Sequence, residues 1–338
     1  MIIHGLRQIG RPIIILDLEG EEWPARGFDR ILRVGDDENP LALNALEMNF
    51  SEDAGEESEI ATQVFTESLG LSPGQSQILW ETFRLICRQR EVEDKEMRRH
   101  AISSIIAEIQ RNTDPQRIPP ESPALLRKLV LLAEGKIGKA LNQGNPIKIG
   151  EILKGTTLVE LREVADLQAR KLLLSLILVS LTQHVKTRVS EEQDHPLFLV
   201  LKEGGSILEE DEVGHSILRQ SLLELGKRGI NLLIIQASPR IAPPYLLDRC
   251  QTRIFHRLTN RGDIDLAQRI LNLDESQTIL LQEMSSKEAL VKTPEHIQPV
   301  LTWIPGSVSL TTERAEKASP HETDLLEIVS EPYENEIE

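Results

Sequence analysis

The sequence predicts an α/β fold with a mostly parallel sheet and one large helical insertion. Short apolar runs alternate with helical stretches along the second half of the chain, which is typical of parallel strands joined by helices. Two apolar runs, 11–17 and 197–203, end in acidic residues. Because parallel strands end at one edge of a sheet, where ligands bind, these acids are candidates for a functional site.

The first elements are strands, and a long helical stretch follows them. The β-branched run 11–17 predicts a buried strand, and 31–34 predicts a weaker one. From 51 to 143 the apolar residues follow helical spacing, with proline and glycine at the turns. We expect 1–50 to open the sheet domain and 51–143 to form a helical insertion, with helices at 59–69, 76–87, 100–110 and 122–133.

The remainder of the sheet domain is expected at 144–305. A short strand at 157–161 precedes a helix at 165–186, which is apolar nearly all round, as in a helix buried beside a sheet. Further strands are expected at 197–202, 231–236 and 252–257, with helices at 213–228 and 263–271. Closing strands are expected at 288–292 and 298–304, with antiparallel pairing open as an alternative. Residues 306–338 are acidic and poor in core residues, so we expect a solvated, disordered tail.

Composition limits the compartment and the kind of partner. The net charge of -16 over 338 residues argues against a uniformly basic nucleic-acid binder, although a local basic track remains compatible with it. Cys87 and Cys250 form no disulfide framework and no zinc spacing. The longest apolar run, 172–181, is too short to span a bilayer. A cytoplasmic protein without a membrane segment is therefore predicted.

The stretch 197–203 carries the strongest chemical signal. A Walker B strand is an apolar β-strand whose end delivers one carboxylate to Mg²⁺ and another to the attacking water. Here five apolar residues precede Lys202 and Glu203, so the glutamate is present but lysine stands where aspartate is expected. The sequence has no Gly-x-x-x-x-Gly-Lys-Ser/Thr, the phosphate loop called Walker A. The chain therefore has the features of an NTPase core with a charge reversal at its metal position.

Three strand ends carry polar residues in a telling order. Asp17 ends the first strand, Glu203 ends the Walker B-like strand, and Gln236 ends the next one. This order fits NTPases in which the glutamate polarises water and a glutamine on the neighbouring strand senses the γ-phosphate.

At this point the sequence resembles the HerA and FtsK group of hexameric DNA-translocating ATPases, and is most similar to the HerA side. The resemblance rests on an ordered series of partial motifs between residue 1 and residue 304. They are Asp17-Leu-Glu-Gly20-Glu21, Leu43-Asn44-Ala-Leu46, Lys202-Glu203-Gly204-Gly205, Gln236-Ala-Ser-Pro239, Cys250-Gln-Thr252-Arg253-Ile254, Leu258 to Asp263, and Lys287-Glu288-Ala-Leu-Val291. Residues 1–10 resemble the end of the helix that follows the phosphate loop in that group. The resemblance therefore leaves two alternatives: the sequence starts inside the family's fold, with the phosphate loop supplied elsewhere, or the protein has lost its nucleotide cradle.

The resemblance implies a RecA-like fold, ATP and Mg²⁺ as cofactors, a homo-oligomeric ring, hexameric in the group, and DNA as a partner. A nuclease or another effector protein is a further possible partner. It implies catalytic roles for Glu203 and Gln236, and an arginine finger at Arg228, for which a solvated helix end is the alternative. The nucleotide-site candidates by resemblance are Asp17, Gly20, Glu21 and Lys202.

Lys202 allows two interpretations. It is either an exposed lysine at the end of a site that has lost its function, or a cation that replaces Mg²⁺ and forms an ion pair with Glu203 or with a phosphate.

The resemblance, together with the missing phosphate loop and the lysine at position 202, implies a HerA-like ring subunit with impaired or absent autonomous ATP hydrolysis. A catalytically inactive paralogue that serves as an assembly or regulatory scaffold is the alternative. An unrelated α/β protein with a helical lid also remains open.

Overall fold

The computed structural model describes eight stretches of the chain: 2–20, 27–44, 54–89, 101–112, 119–142, 146–187, 197–208 and 216–304. These stretches form a five-stranded sheet, a three-stranded sheet and twelve α-helices among the described residues. The predicted tail at 306–338 lies outside them, as does Glu21.

The larger sheet is parallel throughout, as the sequence predicts. Its strands are β1 (Ile13–Asp17), β2 (Arg30–Arg33), β3 (Thr156–Glu160), β4 (Phe198–Lys202) and β5 (Asn231–Ile235). Their order is β2-β3-β1-β4-β5, and all four pairings are parallel. The three strands at the middle of the sheet are buried on both faces, which explains the continuous apolar runs of β1 and β4.

Helices flank this sheet and fill the long connection between β2 and β3. The first, α1 (Ile2–Gln8), precedes β1. The connection contains α2 (Ala54–Leu69), α3 (Pro73–Gln89), α4 (Ala101–Asn112), α5 (Ser122–Ala133), α6 (Gly135–Leu141) and α7 (Ile149–Ile152). The predicted domain limits at 50 and 143 remain a prediction, since one core joins these helices to the sheet.

That core lies on one face of the sheet. Ile14 and Leu16 of β1 pack there with α8 (Leu167–Thr187) and α9 (Ile217–Lys227). Phe65 of α2 belongs to the same cluster of buried residues. The helix α8 is buried nearly all round because it lies between the sheet and the inserted helices, which explains its near-continuous apolar sequence.

The opposite face of the sheet has a smaller cluster. Ile13, Ile15, Leu158 and Val200 are fully buried there, and Ile3 and Leu6 of α1 pack against them. The two faces of β1 are therefore covered by different parts of the chain.

The carboxyl-terminal part forms a second, antiparallel sheet. It contains β6 (Arg253–Phe255), β7 (Glu288–Lys292) and β8 (Val300–Trp303), in the order β6-β7-β8. Its core is shared with α11 (Arg261–Leu271) and α12 (Glu275–Glu283). A 3-10 helix (Pro239–Ile241) and α10 (Pro244–Arg249), neither predicted from the sequence, connect β5 to β6. No helix within the described stretches has the length and hydropathy that crossing a bilayer requires.

Candidate functional site

A row of charged side chains crosses the larger sheet where its strands end. The strand register aligns Arg33 with Glu160, Glu160 with Asp17, and Asp17 with Lys202. Residues in register on parallel strands point to the same face, so these four side chains share one face of the sheet. The charges along the row are positive, negative, negative and positive.

Asp17 and Lys202, which form one half of this row, are a buried ion pair. The Lys202 ammonium lies 3.6 Å from Oδ1 of Asp17. Lys202 is 4% exposed and Asp17 is 0% exposed. The interpretation of Lys202 as an exposed strand-end lysine is therefore wrong. A buried carboxylate is costly unless an opposite charge lies beside it, and the Lys202 ammonium supplies that charge to Asp17.

Asp17 also organises the turn that follows β1. Its Oδ1 accepts hydrogen bonds from the backbone N–H groups of Gly20 at 2.9 Å and Glu19 at 3.3 Å. Gly20 has a φ of +75°, and a side chain there would collide with that of Arg162. Glycine is thus required at position 20 to close the turn over the Asp17 carboxylate.

The other half of the row is a second ion pair, which the sequence did not indicate. Glu160, at the end of β3, is 5% exposed and forms an ion pair with Arg33 at the end of β2. Glu160 ends a predicted strand and directly follows Leu158 and Val159, and an acid at a strand end was the available signal. Only the order of the strands places it beside Asp17.

Glu203 follows β4 in an unusual backbone conformation. Its φ is +54°, in the left-handed region that non-glycine residues seldom adopt. Its N–H donates to the carbonyl oxygen of Ile235 at 2.8 Å, which fixes the end of β4 against β5. Strained residues of this kind are concentrated at functional sites, so the conformation supports Glu203 as a site residue.

Gln236 connects Glu203 to the turn that follows it. In the amide orientation that satisfies its neighbours, Nε2 donates to Oε2 of Glu203 at 3.1 Å. Oε1 then accepts from the N–H groups of Gly204 at 2.9 Å and Gly205 at 2.8 Å. The structure thus brings together Glu203 and Gln236, which the sequence placed on successive strands.

Gly205 is packed too closely for any side chain. A Cβ atom there would lie 2.6 Å from the carbonyl oxygen of Ile241, in the 3-10 helix that follows β5. A Cβ atom at Gly204 would lie 2.9 Å from the side chain of Leu201. These close approaches hold the turn after β4 between two strands and the 3-10 helix.

Two of the motifs that carry the resemblance also contact each other. Ser238 donates a hydrogen bond of 2.6 Å to Oδ1 of the buried Asp263 in α11. Asn260 caps that helix by accepting from the N–H groups of Gly262 and Asp263. The motif at 236–239 is therefore fixed to the motif at 258–263, which attaches the second sheet to the site edge.

Arg228 lies away from these residues. It follows α9 and precedes β5, so it lies at the amino ends of the strands. The other candidates lie at the carboxyl ends of the strands, on the opposite side of the sheet: Asp17, Lys202, Glu203 and Gln236. The guanidinium Nε of Arg228 donates to Glu224 at 3.0 Å, and this hydrogen bond lowers the pKa of Glu224. The arginine-finger role stays a prediction that needs a neighbouring subunit.

The residues of this edge do not fit a bound Mg²⁺. That ion is held by oxygen ligands, with carboxylates supplying the charge. Lys202 instead places an ammonium beside the Asp17 carboxylate. Within the described stretches no group of three or more histidine, cysteine or acidic side chains is placed to hold a metal. The side chains at the carboxyl ends of these strands are held by ion pairs and amide hydrogen bonds to one another.

Comparison with known proteins identifies the fold. No family model matches the sequence, and no curated protein matches it. Among solved structures, VirB4 of Thermoanaerobacter pseudethanolicus is similar over 91% of this chain and 85% of its own, with a TM-score of 0.68 and 13% identity. The bacterial conjugative coupling protein TrwBdeltaN70, in its unbound form, matches 90% of this chain and 81% of its own, with a TM-score of 0.58 and 10% identity.

A structure of the plasmid coupling protein TrwB in complex with ADP and Mg²⁺ is also similar, with a TM-score of 0.56 and 10% identity. It covers 90% of this chain and 80% of its own length. The expected RecA-like fold, a mostly parallel sheet flanked by helices, is thus confirmed.

Proposed function

We propose that this chain is a HerA-like ring subunit of the DNA-translocating type whose own ATP hydrolysis is impaired or absent. The observation that carries the proposal is the buried Lys202–Asp17 ion pair at the end of β4. The fold and the ordered motifs support the translocase origin, and the ion pair supports the loss of hydrolysis.

The loss follows from the charge at that position. ATP hydrolysis in this fold class relies on a divalent cation that bridges phosphates and neutralises developing charge. Lys202 supplies a fixed positive charge to Asp17 without open coordination positions for phosphate oxygens. Loss of such electrostatic stabilisation costs about 3–4 kcal/mol of transition-state energy for a single group, so turnover by the isolated chain is expected to be very slow.

Other properties of the proposed subunit rest on resemblance. They are a hexameric homo-oligomeric ring, DNA in its channel, residual ATP binding, and a nuclease or another effector protein docked on the ring. TrwB is a plasmid coupling protein with a structure in complex with ADP and Mg²⁺, which makes nucleotide the first ligand to test. Cytoplasmic location also remains a prediction.

A second candidate is a catalytically inactive scaffold for assembly or regulation. It is favoured by the hydrogen bonds between Glu203 and Gln236, and between Gln236 and the Gly204–Gly205 backbone. In this arrangement the glutamate and the glutamine satisfy each other, so they stabilise the sheet edge without a nucleotide. The two candidates differ in whether a ring of this chain turns over ATP.

The test is calorimetry of ATP with and without Mg²⁺, together with a turnover assay, on the wild type and on Lys202→Asp. We expect no Mg²⁺-dependent binding of ATP to the wild type, and at most very slow turnover of ATP by it. We expect Lys202→Asp to gain Mg²⁺ binding, because it places a carboxylate beside Asp17. Lys227→Asp makes the same charge change at an exposed lysine and serves as the matched control.

Turnover of ATP by the wild type at about 1 per second or faster, abolished by Glu203→Gln, would contradict the impaired-hydrolysis proposal. Failure of Mg²⁺ to bind a folded Lys202→Asp variant would contradict the role assigned to Lys202. Analytical ultracentrifugation of the same samples measures the oligomeric state, since a hexameric ring has six times the mass of the single chain.

A further inference from the structure

The outer strand of the second sheet, β8, carries exposed apolar side chains on the face that packs the core. The register places Leu301 of β8 beside Leu290 of β7, and Leu290 beside Phe255 of β6. Paired residues, and residues two apart on one strand, share a face, so Leu301 and Trp303 lie on the same face as Leu290. The helices α11 and α12 share the core in which Leu290 is buried. Leu301 is nevertheless 44% exposed, and Trp303 is 62% exposed.

These two side chains continue the core of the second sheet beyond the part that its described helices cover. A single exposed apolar residue needs no explanation. A leucine and a tryptophan that are adjacent on a core face, however, indicate a site where a further element packs. Covering them would remove a large apolar area from water, which is favourable. This face of β8 therefore fits a partner that contributes apolar side chains.

Exposed arginines lie at the end of the sheet to which Trp303 belongs. Strands β6 and β8 are both antiparallel to β7, so they run in the same direction and end at the same end of the sheet. Arg257 follows β6, and Arg261 is the first residue of α11. Residues 305 onwards follow β8. Because two strand spacings of about 4.8 Å separate the lines of β6 and β8, the arginines and Trp303 occupy neighbouring parts of one surface.

A third arginine reaches the same place from the 3-10 helix after β5. A Cβ atom at Gly262 would lie 2.6 Å from Nη1 of Arg240, so that guanidinium lies against the first turn of α11. The side chains of Arg240, Arg257 and Arg261 are exposed, and with the described residues they form no ion pair or hydrogen bond. Residues 240–261 contain five arginines and one acid, in a chain whose net charge is -16. Like charges that lie close together repel one another, so this group favours an anionic partner.

We propose that this surface of the second sheet binds residues 322–331 of the same chain. The arginine–tryptophan surface, as we call it, consists of Arg240, Arg257, Arg261, Leu301 and Trp303. Residues 322–331 read Glu-Thr-Asp-Leu-Leu-Glu-Ile-Val-Ser-Glu, so four aliphatic residues stand among four acids. The aliphatic side chains pack on the leucine and the tryptophan of the surface, and the acids lie against its arginines. The segment thus matches the surface in both apolar character and charge.

The connection between the surface and the segment is long enough for this contact. At about 3.3 Å per residue, residues 305–321 can span up to about 55 Å, which is several times the distance across the three strands. A tethered segment also has an effective concentration of about 1 mM or more, so even a weak contact is well populated. A nucleic acid fits less well, because it supplies phosphates to the arginines but no aliphatic contact to Leu301.

The experiment is acrylamide quenching of Trp303 fluorescence in the full chain, with Trp23→Phe and Trp80→Phe so that Trp303 is the one tryptophan left. In this reporter chain the bound segment shields the indole ring. Serine in place of Leu325, Leu326, Ile328 and Val329 removes the apolar contact, and we expect it to raise the quenching constant by about threefold. Val308→Ser with Leu310→Ser, outside the segment, is the matched control and is expected to leave the constant unchanged.

Charge exchange tests the arginines separately. Arg257→Glu with Arg261→Glu makes the surface repel the acidic segment, and we expect it to raise the quenching constant as much as the serine substitutions do. Adding Asp324→Arg and Glu327→Arg to that variant restores opposite charges and is expected to return the constant towards its original value. Arg269→Glu makes the same change at an exposed arginine further along α11, and it is expected to have no effect.

Three outcomes would overturn the proposal. Equal quenching in the reporter chain and in its serine-substituted form would show that the segment does not cover Trp303. Shielding of the serine-substituted form only after it is mixed with a chain that has an intact segment and Trp303→Phe would identify a second copy as the source of the segment. Shielding of the reporter chain that appears only after a DNA duplex is added would assign the surface to nucleic acid.

Discussion

At the scale of single residues, Lys202 stabilises the carboxyl ends of the central strands through its ion pair with Asp17. A buried lysine that follows four apolar residues of a strand would be strongly destabilising without a partner. Its pair with Asp17 therefore has a structural role whether or not the edge binds a nucleotide. Asp17 in turn fixes the turn at Gly20, so the cation stabilises both β4 and the loop after β1.

Removal of the cation is expected to destabilise the protein strongly. Lys202→Met leaves the fully buried Asp17 carboxylate without its ammonium, and breaking a buried pair in this way costs about 3–5 kcal/mol. Urea unfolding monitored by circular dichroism measures the change.

The double variant tests the cause. Asp17→Asn combined with Lys202→Met is expected to cost less than the sum of the single changes, by about 1 kcal/mol or more, because the residues are coupled. Lys227→Met, at an exposed lysine, is expected to stay within about 0.5 kcal/mol of the wild type. Additive effects of the two site changes would contradict the pairing.

At the scale of elements, the turn after β4 requires glycine at position 205, whereas the helix α9 does not require the glycine at position 226. Gly205 is in contact with the backbone of Ile241, whereas a Cβ atom at Gly226 in α9 would have open space around it. The same substitution should therefore have opposite effects at these two positions.

Gly205→Ala is expected to lower the free energy of unfolding by about 1–3 kcal/mol, because the methyl group overlaps the Ile241 carbonyl and forces the 3-10 helix to move. Gly226→Ala is expected to raise it by about 0.5–1 kcal/mol, because alanine has less freedom to lose in a helix. Chemical denaturation of both variants measures the difference. Equal effects of the two changes would rule out this account of the turn.

At the scale of the whole molecule, the inserted helices share the core of the sheet. Buried residues of α2, α8 and α9 belong to one apolar cluster. Two polar contacts cross the same interface: Ser68 bonds to Ser175 at 3.3 Å, and Glu67 accepts from the N–H of Ile217 at 2.8 Å. These helices are therefore expected to unfold together with the sheet.

Trp80, in α3, provides the measurement. With Trp23→Phe and Trp303→Phe, the fluorescence of Trp80 reports on the inserted helices alone, since the chain has three tryptophans. Its thermal transition is expected to coincide with the loss of secondary structure measured by circular dichroism, as in a cooperative unit. A separate, earlier Trp80 transition would show that the insertion is an independent domain.

The sequence by itself determined the α/β class, the parallel sheet and the helical character of the long connection, because hydrophobic periodicity depends only on local spacing. It also placed Asp17, Glu203 and Gln236 at strand ends. Tertiary structure decided that Lys202 pairs with Asp17, that Glu160 joins the same row, and that Arg228 lies at the opposite edge. It also placed β5 last in the strand order of the described sheet. Each of these depends on the order and register of strands that are far apart in the sequence, and local pattern does not contain that order.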